Sequence, residues 1–131
     1  MKHWILAARL RTLPAAIAPV LLGWTICTNT HVGAALAALL AAILIQIATN
    51  FANDYFDFIN GADTDDRVGP TRATQAGLIT PQQMKTAFII TFALTIPLIA
   101  YLTIRGGWVI VLIGVASILA GILYTGGPKP L

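Results

Sequence analysis

All five acidic side chains, Asp54, Asp57, Asp63, Asp65 and Asp66, crowd into one short stretch of the chain, and no Glu occurs anywhere. Arg67 and Arg72 follow at once. Upstream, Gln46, Asn50 and Asn53 recur with Asp54 and Asp57 at three-to-four spacing, which on a helix places them on one polar stripe. Two carboxylates near a helix C-terminus repel each other and meet the negative end of the helix dipole. A cation resolves both problems. Mg²⁺ suits the pattern, since it takes one or two carboxylates and fills its remaining positions with water and phosphate oxygens.

Asp54 and Asp57, with Asp63 as a third, are therefore candidate metal ligands, and Asn50, Asn53, Asp54 and Asp57 are the candidate catalytic group. Arg67 and Arg72 have the fork geometry that grips phosphate oxygens in pairs. Lys85 is a candidate third cation for the same anion. The competing assignment is a solvated helix end whose acids simply pair with Arg67 and Arg72; it leaves Asn50 and Asn53 unexplained. Asp65 and Asp66 divide evenly between site and solvated loop.

The elements that must position these residues are apolar. Of the 131 residues 57% are hydrophobic and only 10% charged, with a mean hydropathy of +0.81. A soluble domain carries about a quarter charged residues, so the composition points to an all-α integral membrane bundle. Four segments are long enough to cross a bilayer, at about 13–28, 32–58, 84–104 and 108–124. Pro19 and Pro97 predict kinks in the first and third. The Ala-rich run from Ala34 to Ala48 suits close helix packing. Cys27 excludes an internal disulfide and reads as a buried, inert thiol.

The one long polar loop spans about 60–80. Asn60-Gly61 predicts a helix C-cap before it, and Thr80-Pro81-Gln82-Gln83 predicts a capping box after it. Lys2, Arg9, Arg11, Arg67, Arg72, Lys85 and Lys129 fall on one side of the four segments and Arg105 on the other. Basic residues collect in cytoplasmic loops, which places the N-terminus and the acidic loop inside. The net charge of +3 then reports topology, and no nucleic-acid motif is present. Arg9 and Arg11 read as membrane anchors. His3, His31, Trp4, Trp24, Trp108, Tyr101 and Tyr124 read as interface or packing residues.

The pattern Asn50-x-x-Asn53-Asp54-Tyr55-x-Asp57-x-x-x-Gly61-x-Asp63, followed by Arg67-x-Gly69-Pro70-x-Arg72, resembles the first aspartate-rich motif of UbiA-type membrane prenyltransferases. Its variant is similar to that of the subgroup acting on 1,4-dihydroxy-2-naphthoate in menaquinone biosynthesis. Arg11-Thr12-Leu13-Pro14, Pro19-Val20-Leu21-Leu22-Gly23 and Tyr124-Thr125-Gly126-Gly127-Pro128 are similar to that group's flanking landmarks. Where many members carry a last Asp, this chain has Gly61, and Asp63 takes that role as in the naphthoate subgroup.

The resemblance implies a Mg²⁺-dependent enzyme of the bacterial inner membrane. It would move a polyprenyl group from an isoprenyl diphosphate to dihydroxynaphthoate, giving demethylmenaquinone with release of diphosphate and CO₂. Family members have about nine transmembrane helices and a second aspartate-rich motif. The resemblance therefore covers an N-terminal part, expected to be inactive alone and to need a C-terminal half. Two rival expectations stand beside it: a UbiA-type enzyme for another aromatic acceptor, and a small membrane protein that binds or transports cations.

Overall fold

The computed structural model describes residues 1–28, 31–61 and 72–127. Six α-helices run through them: α1 (Lys2–Ala8), α2 (Leu13–Ile26), α3 (Val32–Ile59), α4 (Pro81–Ala93), α5 (Thr95–Gly106) and α6 (Val109–Gly126), with a 3₁₀ turn at Leu10–Thr12. No strand occurs among the described residues. Four stretches are long and apolar enough to cross a membrane: Lys2–Ile26, Val32–Ile59, Pro81–Gly106 and Val109–Gly126. The chain is an integral membrane helical bundle.

The boundaries follow from local chemistry. Gly61, at φ 62°, takes the left-handed position that closes α3 after Asn60. Thr80 and Gln83 exchange hydrogen bonds with each other's backbone N–H at 3.3 and 3.1 Å, and Pro81 occupies the first turn of α4. Both signals were legible in the sequence. The third span breaks between Ala93 and Thr95. Pro97 removes the N–H that would bond Ala93, and its ring crowds that carbonyl, which divides the span into α4 and α5.

The first span departs from expectation. Helix begins at Lys2 rather than near Leu13. Arg9 and Arg11 interrupt the apolar run and hide this from a hydropathy reading, whereas α1 forms because its buried face, Ala7 and Ala8, has α3 to pack on. Cys27 also differs. It is exposed at the C-terminal cap of α2, where the backbone turns extended and no neighbour covers the thiol.

Helix α3 is the centre of the bundle and packs against every other helix. Its 28 residues extend about 42 Å at 1.5 Å each, more than the ~30 Å hydrocarbon layer. The surplus carries the polar C-terminal turns out to the membrane–water boundary. Ala48 and Ala52 are fully buried and let neighbouring helices approach; Phe51, Met84, Phe88 and Phe92 fill the space between them. On α6, Gly121 stands so close to Thr49 that a Cβ would overlap the Thr49 hydroxyl. Outward-facing Leu36, Leu40, Ile89, Ile90, Leu112 and Leu119 leave an apolar exterior, as a lipid environment requires.

Candidate functional site

The polar stripe of α3 is brought together at the boundary end of the bundle. Asp54 is 1% exposed. Its two carboxylate oxygens accept the backbone N–H groups of Ala73 and Thr74, each at 3.0 Å. Those residues, with Arg72, begin the segment that returns to α4, and all three are buried. Asp57 lies one turn further along α3 and forms an ion pair with Arg72. Burial pulls the Arg72 pKa down to about 10, the nearby Arg9 charge adds to that fall, and Asp54 opposes it. Arg72 is therefore fully charged at neutral pH.

Upstream on the same stripe, Asn50 donates to the Ala8 carbonyl and to the Thr12 hydroxyl, both at 2.9 Å. Gln46 donates to the same hydroxyl at 3.2 Å. Thr12 in turn donates to the Arg9 carbonyl at 2.9 Å, closing the turn between α1 and α2. Asn53 accepts a hydrogen bond from Thr125 at 2.9 Å, and Asn60 donates to the Thr125 carbonyl at 3.1 Å. The end of α6 is thereby fastened to the end of α3.

Asn50, Asn53, Asp54, Asp57 and Arg72 thus converge. Lys85 is exposed in the second turn of α4 and takes no part in the contacts among Asp54, Asp57 and Arg72. Asp63 and Arg67, together with Asp65 and Asp66, lie outside the described residues. The pairing of Asp57 with Arg72 is the contact anticipated for a helix end that neutralises its own acids. The buried asparagines go beyond that reading, because they bind two other helices.

Three neighbours were not singled out as site residues. Arg9 stood as an anchor, yet its Nη2 is buried and its charge is felt at Arg72. Thr12 and Thr125 belong to the flanking landmarks, which was the only signal available for them. An aromatic cluster beside the acids also went unread: the Tyr55 ring lies 5.1 Å from Phe56 and 5.6 Å from Phe88, and Phe56 lies 5.9 Å from Phe88.

Two apolar clefts run between the helices below the site. One, of about 380 Å³, is lined by Ala38, Ala41, Ile45, Gln46, Ile99 and Ser117. The other, of about 550 Å³, shares Pro19 and Ala38 with it and ends among Trp24, Cys27, His31 and Arg105. Their walls are mostly apolar, with polar side chains at a few points, and such a cleft accepts an aliphatic chain more readily than a polar one.

Comparison with known proteins places this geometry. Residues 13–131 match the UbiA prenyltransferase family. A protein named 1,4-dihydroxy-2-naphthoate octaprenyltransferase from Mycobacterium tuberculosis (strain ATCC 25618 / H37Rv) is 41% identical over 98% of this chain. Proteins of the same name from Escherichia coli (strain K12) and Bacillus subtilis (strain 168) are 39% and 35% identical, over 97% and 94% of the chain. The chain spans 44%, 44% and 40% of the length of these three relatives. No solved structure gives a significant match. With a matching motif, a matching length of sequence and a bundle built around it, the chain belongs to the UbiA prenyltransferase family.

Proposed function

We propose that this chain carries the prenyl-diphosphate end of an active site that transfers a polyprenyl group to 1,4-dihydroxy-2-naphthoate. One observation carries the reading: Asp54 and Asp57 sit a turn apart at the boundary end of α3 with Arg72 against them. The names of the relatives support the acceptor.

The donor set fits Mg²⁺. Each carboxylate oxygen has two lone pairs, so Asp54 keeps acceptor capacity after binding two N–H groups, and so does Asp57 after pairing with Arg72. Asp54 and Asp57, with Asp63, would hold the ion, whose charge would help neutralise a bound diphosphate. The residues of the chain do the rest. Arg72 and Arg67 bind diphosphate oxygens, with Lys85 as a further cation, and stabilise the charge that builds on the leaving group.

The bond between the prenyl C1 and the diphosphate oxygen breaks, and its electron pair leaves with diphosphate. The allylic carbon then accepts an electron pair from the acceptor's ring carbon. That carbon loses its carboxylate as CO₂, which returns the pair to the ring. Tyr55, Phe56 and Phe88 can shield the allylic cation with their π faces. Asn50 and Asn53 keep the helices in register around the acids. The tail of the donor lies in the interhelical clefts, open to lipid.

The same reading sets the protein in a bacterial inner membrane with its N-terminus and acidic loop cytoplasmic. The basic residues support this, because Lys2, Arg9, Arg11, Arg72 and Lys85 all belong to the Asp54 end of the bundle and Arg105 to the other. The deciding experiment supplies membranes in which the chain is expressed together with the C-terminal half of one of its relatives, with labelled isoprenyl diphosphate and either dihydroxynaphthoate or 4-hydroxybenzoate. Mg²⁺-dependent labelling of the naphthoate alone is expected. Labelling of 4-hydroxybenzoate alone would move the assignment to another acceptor.

A further inference from the structure

We propose that the end of the bundle opposite Asp54 binds an anionic phospholipid, with Arg105 gripping its phosphate and one acyl chain entering the 550 Å³ cleft. This site is separate from the prenyl-transfer site. His31 stands at the start of α3 and Asp54 near its end, and the rise between them is about 35 Å at 1.5 Å per residue. That exceeds the ~30 Å hydrocarbon layer, so the two ends face opposite leaflets.

Charge sets the sign of the ligand. Every acid of the chain falls between 54 and 66, and the connections at this end, 27–31 and 107–108, hold none. Arg105 is exposed in the last turn of α5 and forms no ion pair among the described residues. Its guanidinium lies over the Tyr101 ring, 5.7 Å from the centroid. A ring face offers no acceptor oxygen, so the N–H fork stays available for phosphate. Gly33 opens the space beside it. Where a Cβ on Gly33 would stand, the Tyr101 hydroxyl lies 2.9 Å away and the His31 ring 3.4 Å. Arg105, Tyr101 and His31 thus gather N–H and O–H donors at one place. A zwitterionic headgroup would bring a cation of its own to this group, with no carboxylate to receive it. Phosphatidylglycerol brings negative charge alone.

Shape sets the class of anion. His31 and Arg105 stand at one end of the cleft, and its walls beyond them include Val20, Ala34, Ala35 and Ile110. A free phosphate finds no partner on such walls, whereas an acyl chain fills them without leaving a polar group unsatisfied. Depth agrees. Trp24 lines the cleft, and Trp108, 69% exposed, begins α6 at the same end. Tryptophans gather at the headgroup level of a bilayer, where a phospholipid carries its phosphate. The cleft shares Pro19 and Ala38 with the smaller one, so the lipid chain and the donor tail enter from opposite ends.

The test uses the full chain with Trp4→Phe and Trp108→Phe, which leaves Trp24 in the cleft wall as the reporter. It is placed in nanodiscs that mix phosphatidylglycerol with phosphatidylcholine, one of the two brominated on its acyl chains. Quenching of Trp24 then reads which lipid enters. Phosphatidylglycerol is expected to be preferred about fivefold, the scale of one basic residue beside an anionic lipid surface. Arg105→Gln should bring the two lipids to parity, and Arg105→Lys, which keeps the charge but not the fork, should retain part of the preference. Lys2→Gln removes a charge at the other end and should change nothing. Should the tryptophan background not fold, native mass spectrometry of lipid retained by the unsubstituted chain and its Arg105 variants gives the same ratio. Equal quenching by both lipids in the parent chain, or a preference that survives Arg105→Gln, overturns the proposal. Quenching by neither would mean that a helix or a second copy covers the cleft, and overturns it as well.

Discussion

Asp54 on α3 and Thr74 in the returning loop are joined by a carboxylate-to-backbone hydrogen bond of 3.0 Å, with Ala73 bonded to the other oxygen at the same distance. A buried carboxylate thus sets the conformation of the loop that delivers Arg72. Changing Asp54 to Asn puts an NH₂ where one oxygen accepts, leaving a buried N–H facing a donor. The expected cost is about 1–3 kcal/mol of stability, the penalty of an unsatisfied buried group. Thermal unfolding in detergent would measure it, and proteolysis within 72–80 should rise in step. An unchanged melting temperature would show that the loop does not depend on Asp54.

Asn50 and Thr12 are coupled across the bundle by a 2.9 Å bond. Asn50→Ala and Thr12→Val each release the turn between α1 and α2, and each should destabilise by about 1–3 kcal/mol. The double variant should cost less than the sum by roughly 0.5–1.5 kcal/mol, because the two residues share one interaction. A thermodynamic cycle on unfolding midpoints reads this directly. Strict additivity would mean that the hydrogen bond contributes nothing.

Gly121 and Thr49 meet where α6 crosses α3. A methyl group at 121 collides with an oxygen that sits one bond from Cβ and has little room to swing away. Gly121→Ala is expected to cost about 1–3 kcal/mol through overpacking, and Thr49→Gly in the same chain should restore most of it. Failure of the second change to rescue would place the strain elsewhere.

Arg72 supplies a pH dependence with a definite sign. Its folded-state pKa, about 10, lies below the ordinary guanidinium range because burial disfavours the charged form. The folded state therefore sheds its proton first as pH rises, and this group adds stability as pH climbs past about 10 rather than removing it. Anion binding moves the opposite way. Affinity for a farnesyl thiodiphosphate probe should be flat from pH 7 to 9 as far as Arg72 is concerned and should fall through pH 10. Arg72→Lys should shift or flatten that fall, and equilibrium binding at controlled ionic strength would measure it.

Much of this protein was written in its sequence. Paired carboxylates at 54 and 57, asparagines at helical spacing and a loop bounded by Gly61 and Thr80 declared both the long helix α3 and the end of it where charge gathers. Low charged content declared the bilayer. These properties are local: spacing on one helix, caps within four residues and transfer of apolar side chains need no knowledge of what lies across the bundle.

Tertiary packing decided the partners. Nothing in the sequence pairs Asn53 with Thr125, seventy-two residues away, or seats the Arg9 turn on Asn50. Arg9 shows why: its type and position suit an anchor in water equally well, and only the assembled bundle, with its turn docked on α3, buries its Nη2. The same holds for Asp54, whose charge was evident but whose partners, two backbone N–H groups of a loop, have no side-chain signature to read. Hydrogen bonds to backbone, and contacts that depend on how helices cross, are properties of the assembled bundle, and the sequence specifies them only by folding.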